Sequence, residues 1–164
     1  MQPQQSKSNS VAFTGHRYVP YSAYPRITEN LKDIIKDLYK HNGIRNFYCG
    51  MAMGFDMLAA ETVLEMKKHL PDITLSAVVP YRQQSERFSP KAKTWYEALL
   101  SKADNVVILN DEYHDRCFLD RNDYMIDRSR LVVAYYDGVS RSGTSYTVKR
   151  AKACGLSVIN IYCS

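Results

Sequence analysis

The chain has 164 residues, 45% of them hydrophobic and 24% charged, with a formal net charge of +5 and a sequence pI of about 9.0. That length suits one domain with ample room for a single core, the composition is that of a globular protein, and no apolar run approaches the ~20 residues of a membrane span. The positive balance favours anionic ligands, but the lysines and arginines are spread along the chain, which argues against a nucleic-acid footprint.

The opening MQPQQSKSNS is polar and has no apolar h-region, so residues 1 to 10 read as a disordered lead-in and not as a signal peptide. A single domain over 11 to 164 and a cytoplasmic address are the expectations that follow. Residues 11 to 14 form a short apolar run ending at Gly15-His16-Arg17, and residues 25 to 41 follow with helical spacing. Ile27, Leu31, Ile34, Ile35, Leu38 and Tyr39 recur there at intervals of three and four, giving one apolar stripe to lie on a sheet. Asn42-Gly43 stops that helix. A second strand over 47 to 49 ends at Gly50-Met51-Ala52-Met53-Gly54-Phe55-Asp56, and 57 to 70 reads as a helix closed by Pro71.

Residues 73 to 79 predict a third strand, which gives way at Pro80-Tyr81-Arg82 to a polar loop carrying Gln83, Gln84, Glu86, Arg87 and Phe88. A helix over 92 to 103 and a fourth strand over 106 to 109 come next. Residues 111 to 120 are polar and expected to be irregular, and 124 to 128 reads as a short helix. Residues 131 to 136 are a continuous run rich in β-branched and aromatic side chains, as a strand covered on both faces requires. Asp137-Gly138 breaks it, Ser142-Gly143-Thr144 opens a helix through Tyr146, Val148, Ala151 and Ala153, and 158 to 162 supplies a sixth strand.

Strands alternating with helices imply right-handed βαβ units, so the expected fold is α/β: a Rossmann-like three-layer α/β/α arrangement around a mostly parallel sheet of about six strands. Such sheets bind ligands beyond the carboxyl ends of their strands. Here those ends carry Gly15-His16-Arg17, the loop from Gly50 to Asp56, Pro80 to Phe88, Asn110-Asp111, and Asp137 to Thr144.

Gly50 and Gly54 lie where a strand passes into a helix, and without Cβ atoms the backbone there can approach a phosphate or ribose. Their spacing is neither G-x-G-x-x-G nor a P-loop, so neither a dinucleotide dehydrogenase nor an ATPase is supported. Asp56, in the first helical turn, either accepts from a ribose hydroxyl or complements the helix dipole. Gly143-Thr144 reads as a phosphate turn or as an ordinary strand-to-helix junction. Arg17 suits bidentate phosphate pairing, whereas His16 has no activating carboxylate evident in the sequence and reads first as a hydrogen-bonding residue. Glu86 and Asp111 are the carboxylates best placed for acid–base work. Of the thirteen tyrosines, only Tyr18, Tyr21 and Tyr24 make a loop-like cluster. Cys49, Cys117, Cys154 and Cys163 lack C-x-x-C spacing and are expected as free thiols, with neither zinc nor a disulfide framework.

Taken together, VAFTGHR, GMAMGFDMLAAE, VPYRQQSERF, RNDYMIDRSRLVVAYYDG and SGTSYTVKRA resemble, in that order, the YpsA-like family of the SLOG superfamily over roughly residues 10 to 162. The resemblance implies the Rossmann-like fold shared with the DNA-uptake protein DprA and the Lonely Guy phosphoribohydrolases, and a domain that senses or processes a nucleotide-derived ligand. Gly15, His16 and Arg17 are similar to the family's Gly-His-Arg signature, and the Gly50-x-Ala52-x-Gly54-x-Asp56 loop to its first ligand-binding turn. Pro80, Tyr81, Gln84 and Phe88 match its Pro-aromatic loop, with Phe88 in place of a more usual tryptophan. Arg121-Asn122 resembles its Arg-Asn-x-Tyr-Met segment, and Gly143-Thr144 its phosphate turn, with Ser142 replacing one glycine.

Lonely Guy enzymes carry a glutamate three residues after the Gly-Thr threonine, where this chain has Thr147, which cannot serve as a carboxylate acid or base. Arg121 resembles their catalytic arginine and, without the glutamate, is expected to clamp phosphate; Glu86 is the carboxylate left to substitute. The resemblance thus implies binding of a nucleotide-like ligand, an ADP-ribose derivative among the options, with no metal and no required cofactor. An N-glycosidase acting on nucleoside monophosphates and a DprA-like single-stranded DNA binder are the alternatives. A homo-oligomer, as in Lonely Guy relatives, is a further expectation.

Overall fold

A computed structural model describes residues 6–162. Residues 1–5 of the expected lead-in, and Cys163, lie outside the described residues. Residues 6–10 are already structured: Lys7–Asn9 is a 3-10 turn, and Ser10, fully buried, opens the first strand.

Six parallel strands, β1 (Ser10–Gly15), β2 (Asn46–Cys49), β3 (Thr74–Val79), β4 (Asn105–Ile108), β5 (Leu131–Tyr135) and β6 (Ser157–Asn160), form one sheet in the order β4-β3-β2-β1-β5-β6. The chain steps outward from β1 to β4, then returns to lay β5 on the other side of β1, with Val11 beside Leu131 and Gly15 beside Tyr135. The switch point therefore lies between β1 and β5, where such sheets open a crevice.

Alternation along each strand builds two cores. Val11, Phe13, Phe47, Cys49, Leu75, Ala77, Leu131 and Val133 pack with residues of α1 (Tyr24–Asn42), α2 (Phe55–Met66) and α3 (Pro90–Lys102). Ala12, Tyr48, Val78, Val132 and Ala134 pack with Met125 and Ile126 of α4 (Cys117–Asp127) and with Val148 and Ala151 of α5 (Gly143–Ala153). Both faces are covered, which is why the central strands read as unbroken apolar runs. In α1 the residues fully or nearly buried are Ile27, Leu31, Ile35 and Leu38, and Gly43, at φ 68°, ends the helix in the left-handed conformation.

The fourth helix differs most from expectation. It starts at Cys117 and not at 124, because Cys117, Arg121, Asn122 and Met125 are spaced to turn one buried stripe inward. α2 is also shorter than expected and ends at Met66, with turns over Lys67–His69 before Pro71. Cys49 and Cys117 are buried free thiols, while Cys154 is free and exposed. No helix of the described residues is long and apolar enough to cross a membrane.

Candidate functional site

Three glycines let the segments at the carboxyl edge close on one another. A Cβ on Gly54 would lie 2.3 Å from the carbonyl oxygen of Arg17, and Gly54 itself stands at φ 84°. The next residue, Phe55, donates its N–H to His16 O at 3.1 Å. A Cβ on Gly15 would lie 2.4 Å from the Phe55 ring, and one on Gly50 would lie 2.5 Å from Nη1 of Arg121. At Gly50 and Gly54, where backbone approach to a ligand was expected, the space is filled by the protein's own atoms. Gly143 differs, since its nearest neighbour would be Asn122 Nδ2 at 3.8 Å.

Arg121 is 4% exposed. Its Nη1 donates to Gly50 O at 2.5 Å, and its Nε to Asn122 Oδ1 at 2.7 Å. Asp56, 6% exposed in the first turn of α2, accepts from Ala52 N–H through Oδ2 at 3.2 Å, while its buried Oδ1 has no partner among the described residues. Burial pushes the Asp56 carboxyl up to about 6, although Arg121, the Ala52 N–H and Arg17 all pull it down. Burial likewise lowers the Arg121 guanidinium from its ordinary value, with Asp56 opposing. The exposed Arg17 lies over the Phe118 ring at 5.0 Å, and Arg121 lies over the same ring at 5.9 Å.

These groups divide two neighbouring clefts. The first, about 370 Å³, is lined by Gly15, His16, Arg17, Asp56, Arg121, Asn122, Gly143 and Thr144 together with Ser142. The second, about 620 Å³, is lined by Tyr81, Gln84, Glu86, Phe88 and Tyr113 among others. Arg17, Ala52 and Phe118 line both. The rings of Tyr81, Tyr113 and Phe118 meet edge-on or tilted at 5.6 to 6.2 Å between centroids. Gly50, Gly54 and Pro80 line neither cleft.

A family model described as the YspA SLOG family matches residues 14–158. The chain belongs to that family. It is 30% identical over 139 residues to the uncharacterized SPbeta prophage-derived protein YoqJ of Bacillus subtilis (strain 168), covering 77% of this chain and 81% of that one. It is 26% identical over 153 residues to a UPF0398 protein of Bacillus cereus (strain B4264), covering 88% and 83%. Among solved structures it resembles DNA processing protein A from Helicobacter pylori, whose structure concerns single-stranded DNA binding, with TM-score 0.63 and 17% identity; the match covers 93% of this chain and 64% of that one. It also resembles TM1055, with TM-score 0.57 and 18% identity, over 92% and 72%. At those identities the likeness establishes the Rossmann-like fold of this SLOG chain.

Within this SLOG fold, Gln84 braces the loops: its Nε2 donates to Gly50 O at 3.1 Å and its Oε1 accepts from Tyr96 OH at 3.4 Å. Thr147 is buried, and its hydroxyl donates to Gly143 O at 2.9 Å. Glu86 is exposed at the rim of the larger cleft, and Asp111 pairs with Arg82 at 3.1 Å. His16 does have a carboxylate nearby. Asp137 Oδ1 lies 3.5 Å from its Nε2, and that nitrogen accepts from Asp137 N–H at 2.8 Å, which leaves the proton of the neutral ring on Nδ1. Asp137 is held at about 2, chiefly by the Ser140 hydroxyl and the Ser140 and Val139 N–H groups. No group of three or more His, Cys, Asp or Glu residues that could hold a metal occurs among the described residues.

Phe118, the wall common to both clefts, went unremarked in the sequence because the polar run 111–120 hid it. Its spacing to Asn122 and Met125 was the available signal, since i, i+4, i+7 extends the helix backwards.

Proposed function

We propose that this protein binds a nucleotide or nucleotide-derived ligand, with the phosphate in the smaller cleft and the base in the larger. The observation that carries this reading is the shared wall: Arg17 and Phe118 border a guanidinium-lined cleft on one side and an aromatic cleft on the other. In the smaller cleft the N-terminus of α5 presents free N–H groups at Gly143 and Thr144, and Arg17 and Arg121 add charge. In the larger, Tyr81, Tyr113 and Phe118 offer flat faces or edges to a base. Both volumes lie within the range of small-molecule sites, about 300 to 1,000 Å³. An ADP-ribose-like ligand, with its two ends, suits the two compartments, and no metal or cofactor is required.

A thermal-shift screen against nucleoside mono- and diphosphates, NAD and ADP-ribose tests this, with chromatography of each mixture afterwards. A ligand at 100 times its Kd adds about 2.7 kcal/mol of stability. Arg17→Ala, at an exposed position, is expected to weaken binding about tenfold while leaving the unliganded melting temperature in place. A ligand that binds Arg17→Ala as tightly as wild type removes Arg17 from the site. Free base in the chromatogram would make the protein a glycosidase.

A second reading is single-stranded nucleic acid, favoured by Tyr18 and Tyr21, 81% and 71% exposed beside Arg17. It predicts oligonucleotide retention that falls steeply with salt. No retention at low salt dismisses it.

A further inference from the structure

We propose that Asp56 makes the smaller cleft selective for a ligand carrying a sugar hydroxyl beside its phosphate, so that ribonucleotides are preferred to their 2′,3′-dideoxy counterparts. This rests on the nucleotide reading above.

The argument begins with an unfilled valence. Buried carboxylate oxygens in folded proteins are almost always hydrogen-bonded. Asp56 gives Oδ2 to the Ala52 N–H, but no donor among the described residues reaches the buried Oδ1. The residue is 6% exposed and lines the smaller cleft, which is the side open to an incoming donor. What the carboxylate lacks is a donor and not a counter-charge. Arg17 and Arg121 already act on it through space, yet Arg121 sends Nη1 to Gly50 and Nε to Asn122. A neutral hydroxyl supplies the missing hydrogen without bringing a third cation into the cleft.

The same cleft carries the α5 N-terminus at Gly143 and Thr144. A phosphate there and an ionised Asp56 in a space of about 370 Å³ repel each other unless something uncharged separates them. A pentose ring provides that separation and presents its hydroxyls to the carboxylate.

The test is calorimetric titration of the full chain at pH 7.5 with the 5′-mono- and diphosphates of the four ribonucleosides and with their 2′,3′-dideoxy forms. Each ribonucleotide that binds is expected to do so about 10- to 100-fold more tightly than its dideoxy form, the worth of one hydrogen bond to a buried charge. The 2′-deoxy and 3′-deoxy forms then tell which hydroxyl is read. In Asp56→Asn the amide carbonyl takes over the Ala52 N–H and the NH₂ faces the cleft, so a charged acceptor becomes a neutral donor to the hydroxyl oxygen and the gap narrows by about tenfold. With ADP-ribose as probe, the same factor is read between wild type and Asp56→Asn.

Equal binding of ribo and dideoxy forms by wild type overturns the inference and leaves the nucleotide reading standing. A gap of undiminished size in a folded Asp56→Asn overturns it too, since another group then reads the hydroxyl. Unchanged ADP-ribose affinity in that variant does the same. If no nucleotide and no ADP-ribose binds, the nucleotide reading falls and carries the inference with it. The wild-type comparison stands alone should Asp56→Asn fail to fold.

Discussion

Asp56 is a carboxyl whose burial raises it from 3.8 to about 6, so the native state holds its proton more tightly than the unfolded chain does. The stabilisation this gives is fully present below pH 3.8 and is lost as pH rises through about 6; the shift of about 2 units corresponds to about 3 kcal/mol. Urea unfolding between pH 4 and 7 should show wild type losing stability on this account, and Asp56→Asn should flatten the profile. Parallel profiles for the two proteins would remove Asp56 from the account. Asp137 runs the other way: held at about 2, it stabilises above pH 3.8 and loses that effect as pH falls towards 2, so the two windows do not overlap. The glycines give a second residue-scale contrast. Gly54→Ala, at φ 84° with a carbonyl oxygen 2.3 Å away, should destabilise by at least about 2 kcal/mol, whereas Gly143→Ala, with nothing nearer than 3.8 Å, should stay within about 0.5 kcal/mol. Similar losses at both positions would contradict the packing described for the carboxyl edge. None of this was legible in the sequence, which offered Gly50 and Gly54 as openings for a ligand. Arg121 fills the place of the Gly50 side chain from 71 residues away, and no local pattern reports such a meeting.

At the scale of single elements, α5 depends on its first turn. Ser142 accepts from the Ser145 N–H at 3.3 Å, and Ser145 Oγ accepts from the Ser142 N–H at 3.2 Å, a reciprocal cap. Ser142→Ala should lower stability by about 1 kcal/mol. It should also weaken any ligand held by the Gly143 and Thr144 N–H groups; thermal melts with and without ligand separate the two effects, and an unchanged melt would show that the cap contributes nothing. The helices that pack one stripe on the sheet are legible: α1 lies within a residue of its expected span at each end because its apolar residues keep strict spacing and Gly43 marks its stop. α4 is not. The polar, exposed residues that lead into its first turn look like a loop, and only the buried Cys117 and Arg121, an ion that periodicity counts as polar, show where the inward face begins.

Across the whole molecule, alternating strands and helices were enough to give a parallel three-layer fold. The placement of β5 beside β1, which opens the site, depends on a long-range choice that local pattern does not encode. That order makes β1, β2, β3 and β5 interior and leaves β4 and β6 at the rims, where Val106 and Ile108 of β4 are 44% and 37% exposed. Native-state hydrogen exchange should therefore find the slowest amides in β1 and β5 and the fastest strand amides in β4 and β6. Uniform protection across the sheet would contradict this ranking. Asp56 and Arg121, opposite charges buried in the wall of the smaller cleft that act on each other through space and not through a salt bridge, have a consequence for laboratory evolution. Exchanging two buried opposite charges together for apolar side chains of similar volume is often neutral or stabilising, while removing one alone leaves the other uncompensated. A lineage propagated for heat tolerance alone should keep Asp56 and Arg121 together or shed them together, and the survivors that shed them would be sturdier proteins with a cleft deaf to the ligand proposed above.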